Sequence, residues 1–79
     1  MASKKFKEAD EEYKIFAEYY SICEKYFIPE PKDSSEYEPY WKSLIKDTEA
    51  FVLKHKNHSF AVELVLALIR YLEDATEVL

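Results

Sequence analysis

Not one glycine occurs in this 79-residue chain, and its three prolines, Pro29, Pro31 and Pro39, all fall within a single window. Backbone breakers are therefore confined to two places: Ile28 to Pro39, which also holds Asp33, Ser34 and Ser35, and the short stretch His55 to Ser59. Three long uninterrupted segments remain. Their apolar residues recur every three to four positions rather than alternating, which is the helical period. The missing glycines also exclude a Gly-rich phosphate loop, a Rossmann turn, an EF-hand loop and a nucleophile elbow.

The first segment is expected to be helical from about Lys4 to Phe27, with Ser3 as N-cap and Glu8 to Glu12 near the positive end of the dipole. Ala9, Tyr13, Phe16, Tyr20, Cys23 and Phe27 form one apolar seam, and Ile15, Tyr19, Ile22 and Tyr26 a second row beside it. The second segment runs from about Pro39 to Lys56. Pro39 suits the first helical turn, where an N–H is unpaired in any case; Ser35 with Glu38 offers a capping box one turn earlier. Its buried row is Trp41, Leu44, Ile45, Thr48, Phe51, Val52 and His55, with Leu53 outside. Lys54, His55 and Lys56 suit the negative end of its dipole. The third segment covers Ser59 to about Val78, capped by Asn57 or Ser59.

The short link between the last two segments implies an antiparallel hairpin, and the longer proline-bearing link (28–38) lets the first helix return across it. The expected fold is an all-α, single-domain, up-down-up three-helix bundle spanning residues 1–79. A chain of this size buries only roughly 60% of its unfolded surface, for a stability of about 4–12 kcal/mol.

Apolar width decides what such a bundle can cover. At 100° per residue the second segment has an apolar arc of about 140°, normal for a helix on a core, whereas the first spans about 220° and the third about 240°. Only Glu63, Arg70, Glu73, Asp74 and Glu77 make a polar stripe on the third, and 14 of the 21 residues from Ser59 to Leu79 are apolar. In a trio each helix keeps one side in water, so two over-wide faces leave apolar surface uncovered, and such patches mark interfaces. The seven tyrosines fit an interface as well. The candidate interface residues are Ile15, Tyr19, Ile22 and Tyr26 on the first helix and Val62, Val65 and Ile69 on the third.

Chemistry is sparse. Cys23, in the seam beside Glu24 and Lys25, reads as a small core residue. One thiol builds no disulfide framework. His55 and His58 are too few for a zinc site; His55 complements a helix end and His58 is solvated. The carboxylates lie in solvated runs, so no catalytic residue, metal, cofactor or small-molecule substrate is assigned.

A net charge of −5 disfavours nucleic acid as partner and favours a basic protein surface. A charged stretch after the basic N-terminus argues against a signal peptide, and the longest uncharged apolar run, Leu64 to Ile69, is far shorter than the ~20 residues a membrane span needs. The expected setting is cytoplasmic.

Three functions follow. The first is a non-catalytic protein-binding module, self-associating or docking onto another protein. The second is a small acidic inhibitor, of the mobile-element or anti-defence kind, that covers a basic nucleic-acid-binding surface using Glu30, Asp33, Glu36, Glu38, Glu73, Asp74 and Glu77. The third is a DNA-binding regulator, suggested by Lys42, Lys46 and Lys56 ahead of a short turn and a further helix. It is opposed by the acidic character of that last helix.

Overall fold

The computed structural model describes Ser3, Lys5, Lys7 and residues 10–79. Its three helices are α1 (Glu11–Tyr26), α2 (Tyr37–Lys54) and α3 (Ser59–Glu77), and each touches the other two. The all-α three-helix bundle expected from the sequence is the observed fold, with no strand among the described residues.

The helix ends differ from expectation for local reasons. Asp10, not Ser3, occupies the N-cap of α1, and Lys5 and Lys7 lie outside the helix. The Asp10 carboxylate does not cap it. Oδ2 accepts instead from the Lys7 N–H at 3.0 Å, and Asp10 N donates back to Lys7 O at 2.9 Å, closing a tight turn ahead of the helix. Glu11 and Glu12 do sit in the first turn, where the dipole favours acids, while Glu8 and Ala9 lie outside the described residues.

Helix α2 begins at Tyr37, so Pro39 sits inside its first turn, where the missing N–H has no intrahelical acceptor to lose. The Ser35–Glu38 box does not form. Ser34 Oγ accepts from Glu36 N at 3.0 Å and Tyr37 N donates to Ser34 O at 3.1 Å, so the preceding serine sets the entry.

The α2–α3 hairpin is turned without glycine. Lys56 and Asn57 take the left-handed conformation, with φ of 56° and 58°, and Asn57 N reaches back to Val52 O at 2.9 Å. That closure satisfies a terminal carbonyl of α2. It also rules out Asn57 as the cap of α3, because an N-cap needs extended backbone. His58 has that backbone, and its Nδ1 accepts from Phe60 N at 3.1 Å.

The core is two layers stacked along the bundle. Ile15, Phe51, Ala61 and Val65 form one; Tyr26, Leu44, Leu68 and Leu72 form the other. Early α1 residues thus meet early α3 residues and late meet late, so α1 and α3 run parallel with α2 antiparallel between them. Thr48 and Thr76 are buried by returning their hydroxyls to the carbonyls of Leu44 and Leu72, at 2.9 and 2.8 Å.

The second layer has a polar anchor. Tyr26 donates its hydroxyl to Asp47 Oδ2 at 2.5 Å and lies 2.5 Å from Ser43 Oγ, while Tyr40 donates to Tyr26 O at 2.6 Å. The Tyr26 hydrogen bond, with Lys25 at 2.9 Å, holds the Asp47 carboxyl below its ordinary range. Burial, together with the neighbouring Tyr26 and Glu30, pushes the Tyr40 hydroxyl up to about 12.

Candidate protein-interaction surface

The two rows of α1 exchange the roles expected of them. Ile15 and Tyr26 are buried, and Tyr19 and Ile22 are half-buried against the core. The seam expected to face inward is instead outside: Tyr13 is 41% exposed, Phe16 52%, Tyr20 60% and Phe27 50%, with Cys23 half-buried at its edge. The α3 candidates fare likewise. Val65 is buried, and Val62 and Ile69 are half-buried. Of the seven residues expected at the interface, then, Ile15, Tyr26 and Val65 are corrected to core. The physical reason is that isoleucine and valine have no polar atom to leave in water, and that Tyr26 finds Asp47 and Ser43 inside as partners for its hydroxyl.

The surplus apolar surface is real, but it is made of other side chains. Phe27 stacks on Tyr71 of α3, with ring centroids 5.0 Å apart and planes 17° from parallel, and Tyr71 is itself half exposed. This stack ties the C-cap of α1 to the flank of α3. Along α1 itself Tyr13, Phe16 and Tyr20 surround Ala17, whose methyl floors a hollow between the three rings.

A second, aliphatic surface lies on the other side of α3. Ile45, Val52, Leu53, Val65 and Ile69 line an open groove of about 430 Å³ between α2 and α3. Ile45, expected in the buried row, is largely exposed there, and Leu53 is solvent-facing as expected. Near that groove's far end the Trp41 indole Nε1 is buried with no hydrogen-bond partner among the described residues. Tyr37 and Tyr40 set their rings edge-on to Trp41.

At one end of the bundle His55 has a larger role than complementing a dipole. It is buried, with Nδ1 2.6 Å from Glu11 Oε2 and Nε2 2.5 Å from Glu18 Oε2, both on α1. Glu18 also pairs with Lys54. Burial alone would lower the His55 pKa, but the hydrogen bonds it makes to the Glu11 and Glu18 carboxylates outweigh it and raise the pKa above the ordinary value. Conversely, desolvation pushes the Glu18 carboxyl up, while Lys54 and His55 more than reverse that and lower it. His58 Nε2 lies 3.6 Å from Glu12, so the second histidine is paired as well as partly solvated. A signal was present in the sequence, since His55 falls in the buried row of α2, where an imidazole demands partners.

Burial, above all, raises the Cys23 thiol pKa, with the Tyr19 hydroxyl partly opposing; Tyr19 itself is pushed up to about 12 by burial and by Cys23. Such a thiol stays protonated and unreactive near neutrality. Among the described residues no group of three or more His, Cys, Asp or Glu is arranged to hold a metal ion. None of their helices is long and apolar enough to cross a membrane.

The seven acidic candidates are mostly exposed, with Glu30 half-buried. Lys32 Nζ contacts Glu77 Oε1 at 2.5 Å, which ties the acidic link to the C-terminal end of α3. The acids of the link and of α3 therefore share one pole. No family model, curated protein or solved structure matches this chain.

Proposed function

We propose that this chain is a non-catalytic helical protein-interaction module whose first observable behaviour is association with itself. The observation that supports this reading is a set of exposed rings: Tyr13, Phe16 and Tyr20 of α1, Phe27 at its C-cap and Tyr71 of α3, all 41–60% exposed. Single exposed apolar residues are ordinary, but a set of exposed aromatic rings resembles the core of a protein interface. Light scattering behind a sizing column, from micromolar to millimolar protein, tests it. A mass that rises above one chain with concentration supports the reading, and a single-chain mass throughout refutes self-association.

A second reading rests on the acidic pole joined by Lys32 and Glu77: docking onto a basic protein surface as an inhibitor. The two differ in salt response. Apolar association strengthens in concentrated sulfate, whereas charge-led docking weakens as the Debye length shrinks. DNA binding gains no support, since the exposed side of α3 carries Glu63, Glu73, Asp74 and Glu77 against a lone Arg70. A gel-shift titration at low salt checks that alternative.

A further inference from the structure

The self-association proposed above requires a particular mate, and the charges around the Ala17 hollow specify it. On a helical wheel Tyr13, Phe16, Ala17 and Tyr20 centre about 150° away from Ile15, Ile22 and Tyr26, so they point almost straight out of the bundle. A rod laid along this row meets no other part of the chain's own core. Ala17 has the only small side chain in the row and gives a close approach to whatever lies over it. Tyr20, the most exposed ring of the row, stands one turn away.

We infer that two copies pack their α1 helices antiparallel about a two-fold axis, with Tyr20 of each seated in the Tyr13–Phe16–Ala17 hollow of the other. The inference rests on the self-association reading and adds its geometry. On the side of the hollow away from α3 stand Lys14 towards the N-terminus and Glu24 towards the C-terminus; both are exposed, and neither is ion-paired among the described residues. With Tyr20 over the second copy's Ala17, residues pair in the antiparallel sense 17 with 20, 14 with 23 and 13 with 24. Lys14 then stands about one residue's rise, ~1.5 Å along the axis, from Glu24 of the second copy. A perpendicular two-fold keeps the same flank of each helix on the same side, so the opposite charges face each other, and the pair occurs twice. A parallel two-fold, which runs along the helices, would put this flank on opposite sides of the two copies, so the Lys14–Glu24 pair could not form. The aliphatic α2–α3 groove offers no such self-complementary arrangement, since its charged rim residue is Glu49.

One helix face per chain is a small interface, at the weak end of specific association, so dissociation constants in the micromolar to millimolar range are the window to search. Sedimentation equilibrium over that range, with circular dichroism to confirm an unchanged helical signal, provides the test. Tyr20→Arg, at an exposed site, is expected to leave helicity intact and give a single-chain mass throughout, while Leu53→Lys in the α2–α3 groove leaves the dimer unaffected. Lys14→Glu and Glu24→Lys singly are each expected to weaken the dimer about tenfold, since each turns two attractive pairs repulsive. Together in one chain they restore it. If the wild type associates and Tyr20→Arg associates equally, or the double reversal fails to restore the dimer, this geometry is overturned while the module reading stands. If the wild type remains a single chain to millimolar concentration, this geometry and the self-association reading both fall.

Discussion

Replacing His55 by Gln tests whether the N-terminal half of α1 is held to α2 by a charged imidazole. A neutral ring has one N–H, so it would leave a lone pair facing one of the two carboxylates. With Glu11 Oε2 at 2.6 Å on one nitrogen and Glu18 Oε2 at 2.5 Å on the other, the arrangement suits imidazolium, which donates from both. Hydrogen bonds to charged groups contribute about 1.5–3 kcal/mol each. Glu11 and Glu18 are 44% and 33% exposed, however, and water reclaims them when the ring is lost, so the loss is about 2 kcal/mol for the pair rather than twice that. In a domain of this size that lowers Tm by about 8–16 °C.

The pH dependence follows from the direction of the shifts. His55 has its pKa raised on folding, so its contribution is complete below the unfolded value of about 6.5 and fades as pH rises through the folded one. Glu18 is lowered, so its contribution holds above the ordinary carboxylate range and fades as pH falls through its folded value. Urea unfolding of the wild type and His55→Gln at pH 5.5, 7 and 9 measures the difference with the other titrating groups cancelled. The gap is expected to be about 2 kcal/mol at pH 5.5 and to shrink towards pH 9. A gap of constant size across that range would show that the ring acts by packing alone, and the charged tie would be refuted.

Three further outcomes are expected. Lys56→Gly relieves a left-handed residue with a side chain, at φ of 56°, and stabilises by about 0.5–1 kcal/mol, read as a rise in Tm. Leu72→Ala empties a fully enclosed site and costs about 2–5 kcal/mol, whereas Leu66→Ala, at a half-exposed position, costs well under half of that; urea midpoints compare them. Cys23, with its thiol pKa raised by burial, is expected to be alkylated by iodoacetamide at pH 7.5 markedly more slowly in the folded chain than in urea.

The parts of this fold that could be read from the sequence are those set by period and punctuation. Three helices, their order and their antiparallel hairpin follow from where the prolines stand and where apolar residues recur. Helix ends were harder, because they depend on which of several neighbouring polar groups wins a local competition. Ser34 rather than Ser35 meets the entry to α2, and Asp10 turns back to Lys7 instead of capping. In the hairpin, with no glycine to take the left-handed positions, Asn57 and Lys56 take them, which moves the cap to His58.

The inversion of the two α1 rows has a different origin. By spacing alone they are equivalent, each fit to face a core. What separates them is what each side chain loses in water and finds inside. Ile15 and Ile22 have nothing to offer solvent, and Tyr26 finds Asp47 and Ser43 waiting where its hydroxyl is buried, while the Tyr40 hydroxyl donates to its backbone carbonyl. Among the described residues Tyr13 and Tyr20 have no such partners, and their hydroxyls are best left wet. Once the aliphatic row turns inward, the aromatic seam must turn outward, because an arc of about 220° cannot be covered by two neighbours. The width of the apolar arc thus implied uncovered surface on α1 without saying which row would supply it. The aliphatic-against-aromatic contrast decides that, and it leaves the uncovered rings around Ala17, between Lys14 and Glu24, the face on which the proposed antiparallel pairing rests.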